Sequence, residues 1–292
     1  MMQTNLLKRF TIYSRRVPSA QSNSQNIRNK NNLKNNTMQF LGFHGAISNA
    51  DYFGIQLAPL EKELERDQAA SFHFMNAPIL GDPPYGVEKY FGNGPYRSWF
   101  CDGAVGSRRM LERVRDMPTG DNSEEIMRKL RGKRQAGAQE QLKDNLKEVM
   151  DSIYATLKEN PQIEGVIGYS EGSCLAASLI LDEIRREQET GQARQIKCAI
   201  FITGWPPLAS NADFVLSDES ALKIDVPTLH IVGANDPYKH GALAMFNVCD
   251  ENTATLFDTG KGHTIPRSGR VIQELGDAVR EMIGSTRSQT VC

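Results

Sequence analysis

The sequence has no C-x-x-C pair. Its five cysteines (Cys101, Cys174, Cys198, Cys249 and Cys292) are scattered and odd in number, so neither a disulfide framework nor a zinc site is indicated, and a reducing compartment fits. No apolar run approaches the ~20 residues of a membrane-spanning helix, and the N-terminus lacks the apolar centre of a secretory signal. An excess of one charge is also missing, since 34 Lys and Arg face 35 Asp and Glu. That balance hides an asymmetry. Residues 1–37 carry seven basic side chains (Lys8, Arg9, Arg15, Arg16, Arg28, Lys30 and Lys34) and no acidic one, which leaves 27 basic against 35 acidic residues in the remainder. An acidic body gives no reason to expect a nucleic-acid partner.

The leader is short of apolar groups and rich in Asn and Ser, so it cannot offset the entropy of ordering and is expected to be disordered. Basic and acid-free, it has the charge of a mitochondrial presequence; a dispensable leader before a start at Met38 is the alternative. Without a presequence the expected location is the cytoplasm. The rest fits one domain over residues 38–286, with a short tail at 287–292.

What is present from Met38 onward is alternation. Met38 to Phe43 reads as a buried strand, Asp51 to Arg66 as a helix around Pro59 with Leu57, Leu60 and Leu64 on one face, and Ser71 to Met75 as a second strand. Residues 122–160 are mostly helical, with Leu142, Leu146, Val149, Ile153 and Leu157 at three- and four-residue steps. After Ser170 the pattern predicts a helix to Glu187, a strand over 196–202, a helix, a strand over 228–232, a helix, a strand over 253–257 and a last helix over 268–283. Strands alternating with helices imply an α/β fold: a doubly wound, mostly parallel sheet with helices on both faces. Ligands in such sheets gather at the carboxyl ends of the strands.

Residues 77–121 have no period, but hold five prolines among Tyr85, Tyr90, Phe91, Tyr96, Trp99 and Phe100. A loop this long in a compact domain is usually functional. It reads as an aromatic, substrate-facing insertion, with Tyr96, Trp99 and Phe100 assigned to the substrate pocket. The alternative is an aromatic loop that only covers the core.

The chemistry centres on Gly168-Tyr169-Ser170-Glu171-Gly172. A β-rich run before it and small residues after it (Ser173, Cys174, Ala176, Ala177) give the strand-to-helix context that a G-x-S-x-G nucleophile turn requires. A serine hydroxyl is a weak nucleophile at neutral pH, so it needs a histidine base, and that base needs an acid. Asp236 follows the 228–232 strand, and His263 sits in the glycine-flanked run Gly260-Lys261-Gly262 before the last helix. The order Ser, Asp, His is that of the α/β-hydrolases. Asp225 and Asp258 are rival acids; Asp225 precedes its strand and Asp258 is only five residues from His263. His73 and His230 lie in strand-like runs and read as core histidines. The oxyanion donors expected are the Glu171 N–H and, from the loop His44-Gly45-Ala46, the Ala46 N–H. His44 reads as a loop-shaping residue. No metal or cofactor is needed for this chemistry.

Several stretches together resemble the fungal serine hydrolase (FSH) family: Phe40-Leu41-Gly42-Phe43-His44-Gly45 with Asn49, Asn76-Ala77-Pro78, Arg97-Ser98-Trp99-Phe100, the turn at Ser170, Val226-Pro227-Thr228 through Asp236, and Gly262-His263-Thr264-Ile265-Pro266. The resemblance covers about residues 38–284. It implies an α/β-hydrolase fold and an esterase or thioesterase with Ser170, Asp236 and His263 as its triad. The substrate it implies is a small-molecule or carrier-bound acyl group, in some members a polyketide chain on a synthase carrier domain. The family's Gly-Phe-Ser-Gln-Gly is here Gly-Tyr-Ser-Glu-Gly, which puts a carboxylate beside the oxyanion site. A short-chain carboxylesterase and a ligand-binding protein on the same fold are the competing readings.

Overall fold

Six residues, MQFLGF, make β1 (Met38–Phe43), and five of the six are buried. A strand covered on both faces reads as a continuous apolar run, not as an alternation, and that is the signature of a parallel sheet's interior. The computed structural model describes residues 37–81, 92, 94–100, 117–132 and 137–290. Within them β1 lies between β2 (Ala70–Met75) and β5 (Ile163–Tyr169), parallel to both. Then follow β6 (Cys198–Ile202), β7 (Thr228–Val232) and β8 (Ala254–Asp258), giving the parallel order β2-β1-β5-β6-β7-β8.

Helices cover both faces. On one side α1 (Ala50–Glu65) buries Phe53, Leu57, Leu60 and Leu64, and α6 (Arg270–Thr290) buries Leu275, Val279 and Ile283. Burying each such side chain is worth about 1.5–3 kcal/mol relative to exposure. On the other side lie α2 (Ser123–Arg131), α3 (Ala138–Glu159), α4 (Glu171–Thr190) and α5 (Lys239–Val248). The strands serve both cores by alternation: Phe201 faces the second group of helices, while Ile200 and Ile202 face α1 and α6.

The chain leaves β1 towards β2 and leaves β5 towards β6, in opposite directions across the sheet. The connections therefore diverge at the carboxyl ends of β1 and β5, where such a sheet opens a crevice.

Three expectations change. No helix forms among residues 203–227; that segment is pinned as turns by Ala209 N–H to Asp213 O (2.8 Å) and Val215 N–H to Pro207 O (2.8 Å). Pro206 and Pro207 bar a helix only from running through them; further on, Asn211 Oδ1 accepts the Asp213 N–H (3.0 Å) and Ala212 takes φ 62°, which turns the chain although Val215 and Leu216 are buried. The first part of the irregular 77–121 stretch carries a small antiparallel pair, β3 (Ile79–Gly81) with β4 (Tyr96–Ser98). The last helix runs on to Thr290, past Ile283. The basic leader up to residue 36, with its presequence reading, and Tyr85, Tyr90 and Phe91 of the insertion lie outside the described residues. Among the described residues no helix is long and apolar enough to cross a membrane.

Candidate active site

Ser170 stands at the corner between β5 and α4 with φ 53° and ψ −113°. A non-glycine residue in this region carries about 1–3 kcal/mol of strain and persists only when its surroundings enforce it. They do so here. The Ser170 N–H donates to Ile202 O of β6 (2.9 Å), and Ser173 Oγ donates to Gly168 O (2.6 Å) while accepting the Ile202 N–H (3.1 Å). The glycines on either side are required by contact: a Cβ on Gly168 would stand 2.3 Å from Gly172 O, and one on Gly172 would stand 2.1 Å from Phe43 O. The turn thus brings α4, β5 and the end of β1 to one point, with the serine at its apex.

His263 and Asp236 meet, with Nδ1 to Oδ2 at 2.8 Å. Asp236 is buried, and its other oxygen, Oδ1, accepts the Tyr238 N–H (2.8 Å), so both carboxylate oxygens have partners. A buried charge held this way orients the ring and leaves Nε2 as its accepting nitrogen. The rings of Tyr169 and Tyr238 pack on the imidazole at 5.4 and 5.1 Å, and Tyr169 Oη donates to His263 O (3.2 Å). Tyr169 is the residue before Ser170, so this packing seats the histidine beside the serine corner. Ser170 Oγ is not hydrogen-bonded to His263 here; such contacts often tighten only around substrate.

The rival acids have other work. Asp258 Oδ1 accepts the Ala234 N–H (3.0 Å) and Gly260 N–H (2.8 Å), shaping the loop that carries Asp236. Asp225 pairs with Arg194 at 2.5 Å, at the amino end of β7. His230 is buried against Phe201 and Phe246, and loss of water pushes its pKa down to about 3. His73 is exposed, contrary to the core reading, because β2 is an edge strand with one face open to solvent.

The loop after β1 closes on the serine: a Cβ on Gly45 would lie 3.4 Å from Ser170 Cβ. His44 holds this loop. It is fully buried, its Nε2 accepts the Ala77 N–H (3.1 Å), its Nδ1 donates to Gly45 O (2.7 Å), and burial pushes its pKa down to about 4, so it stays neutral. Arg97 donates to Ala77 O (2.9 Å), and its backbone pairs with Ser48. Asn49 caps α1 and reaches Pro95 O (2.9 Å). Among the described residues the amides of Ala46 and Glu171 have no protein acceptor. Motifs far apart in sequence thus interlock around Ser170.

The pocket assignment needs correction at two positions. Tyr96 is buried, with its hydroxyl donating to Gly92 O. Trp99 is 1% exposed; its indole N–H donates to His44 O (2.8 Å), and its ring packs edge-on against Phe43. Both are core residues, because each aromatic body is covered and each polar tip has a partner. Phe100 alone of the three is half-buried.

Glu171 presents its carboxylate to that segment. Oε2 accepts the Trp99 N–H (2.9 Å) and Oε1 the Phe100 N–H (3.4 Å). Withdrawal from water pushes its pKa up to about 7, opposed by those two amides. Sequence alone gives Tyr169, Ser173 and Tyr238 no role; the signal it holds is adjacency, Tyr169 and Ser173 within the serine turn and Tyr238 two residues after Asp236.

The family model described as Serine hydrolase (FSH1) matches residues 34–275. Hydrolase phiM from a fungal species (strain ATCC 74256) is 24% identical over 84% of this chain and 95% of its own length. Esterase FUS5 of Gibberella moniliformis is 23% identical over 82% of this chain and 85% of its own. Among solved structures, esterase PE8 overlays with a TM-score of 0.49 at 18% identity, covering 84% of this chain and 93% of the other. Acyl-protein thioesterase 2 of Zea mays gives 0.48 at 15% identity, covering 85% and 94%.

Proposed function

The chain belongs to the serine hydrolase (FSH1) family, and from that premise we propose that it hydrolyses an acyl ester or thioester through an acyl-enzyme on Ser170. The observation that carries this reading is the strained Ser170 corner beside the His263–Asp236 pair at 2.8 Å. Ser170 Oγ bonds to the acyl carbonyl carbon as His263 Nε2 takes the hydroxyl proton. Asp236 holds the ring and balances the imidazolium. The carbonyl oxygen becomes an oxyanion within reach of the Ala46 and Glu171 amides, where fixed donors stabilise it without reorganising. Collapse breaks the bond to the leaving alcohol or thiol, which takes the proton from His263. Water then repeats the sequence: His263 accepts its proton, its oxygen bonds to the acyl carbon, and the free acid leaves as Ser170 regains its hydrogen.

For the acyl group we favour a large apolar chain released from a carrier, as in polyketide assembly. Phe100, half-buried and tied through its backbone to Glu171 beside the nucleophile, and the motif resemblance support that choice. The test is intact-mass analysis after a fluorophosphonate probe and after a panel of acyl thioesters and esters. One adduct is expected, absent in Ser170→Ala, together with acyl-enzyme from the bulkier donors. Equal labelling of wild type and Ser170→Ala overturns the assignment.

A further inference from the structure

Glu171 is the residue after the nucleophile, and its amide is one of the two oxyanion donors on the reading just given. Its side chain does something separate. The carboxylate takes two consecutive backbone N–H groups, those of Trp99 and Phe100, 72 and 71 residues away in sequence. We infer that Glu171 is a positioning residue whose carboxylate ties the Trp99–Phe100 backbone to the first turn of α4, and that this holds Phe100 where it meets the acyl group of a substrate on Ser170.

The chemistry favours this carboxylate over its neutral isostere. Two adjacent amides need two acceptors, and an ionised carboxylate has two and no donor. Glutamine offers one acceptor, and its NH₂ would meet the second N–H as donor against donor. The two amides are not equally dependent on it. Trp99 is also fixed by its indole N–H to His44 O and by its packing on Phe43 and His44. Phe100 has a longer bond, 3.4 Å, and its half-buried ring packs against the core; Glu171 supplies the hydrogen bond that holds its backbone among the described residues. Keeping a carboxylate in a site that shifts its pKa up to about 7 works against its ionised form. Placing such a group beside the nucleophile makes sense where the geometry it enforces is used in turnover, since rules of burial are most often broken at functional sites. Remote contacts of this kind help position the reacting carbon, so their loss is read in kcat as well as in KM.

The inference rests on the Ser170 reading, and its test separates the two. Wild type, Glu171→Gln and Glu171→Ala are assayed with 4-nitrophenyl acetate and with a 4-nitrophenyl ester of a long or aromatic acid, with fluorophosphonate labelling run on each protein. The ratio of kcat/KM for the bulky over the acetyl substrate should fall about tenfold in Glu171→Gln and further in Glu171→Ala, with part of the fall in kcat. Labelling at Ser170 should persist in all three, which also reports that each variant is folded. Equal losses on both substrates, with labelling intact, overturn the inference alone. Absence of labelling at Ser170 in wild type overturns the catalytic reading and the inference with it.

Discussion

The carboxylate of Glu171 also makes a prediction about stability that needs no substrate. Burial lifts its pKa from 4.5 to about 7. Between those values the unfolded chain has released the proton while the folded chain still holds it, so folding takes up a proton and stability falls as pH rises. The contribution is whole below the unfolded value and gone above the folded one. A shift of this size corresponds to a ceiling of about 3 kcal/mol. Glu171→Gln removes the ionisation and keeps one acceptor, at a pH-independent cost of about 1 kcal/mol for the second amide's lost bond. All other titrating groups are shared by the two proteins, so the difference between their unfolding free energies isolates this one. Urea unfolding at pH 5 and pH 8 reads it, with midpoint and slope fitted separately. Relative to wild type, the variant should gain about 2–3 kcal/mol between the two pH values. An equal difference at both would refute the view that Glu171 is held as a desolvated carboxylate.

Other perturbations follow from the same geometry. Asp236→Asn should keep the fold and cut kcat by about 10⁴-fold in steady-state assays, because the histidine loses the partner that sets its tautomer. Asp258→Asn should cost much less, since it removes only two loop amide contacts. Trp99→Ala should lower stability by about 3–5 kcal/mol in denaturant melts, the cost of emptying a buried aromatic site. Ser170→Gly should abolish probe labelling and raise the unfolding free energy by about 1 kcal/mol, because glycine accepts the positive φ that serine bears under strain.

Much of this fold is legible in the sequence because burial leaves periodicity. The strand at Met38, the apolar stripe from Leu142 to Leu157 and the turn at Ser170 carry their own local signals, and the triad order needs only its position relative to those strands. The segment 203–227 was less legible for a physical reason. Its apolar residues are buried as a helix's would be, yet the side chain of Asn211 takes the Asp213 N–H and Ala212 turns to positive φ, and a count of apolar positions does not weigh such local bonds.

The aromatic stretch shows a different limit. Composition says that Tyr96, Trp99 and Phe100 must lose water somewhere; it does not say whether protein or ligand takes water's place. The answer depends on partners far along the chain: His44 O for the indole of Trp99 and Gly92 O for the hydroxyl of Tyr96. With those polar tips satisfied and both rings covered, Phe100 is the one of the three that stays half-buried. Glu171 is the same problem in reverse. In sequence its carboxylate is simply adjacent to the oxyanion site. In the fold it points at two amides of β4's continuation, and that charge becomes the acceptor that holds the edge of the site in register with the serine. A side chain's chemistry is written in its identity, whereas its role is set by which backbone it faces, and here that backbone lies about seventy residues upstream.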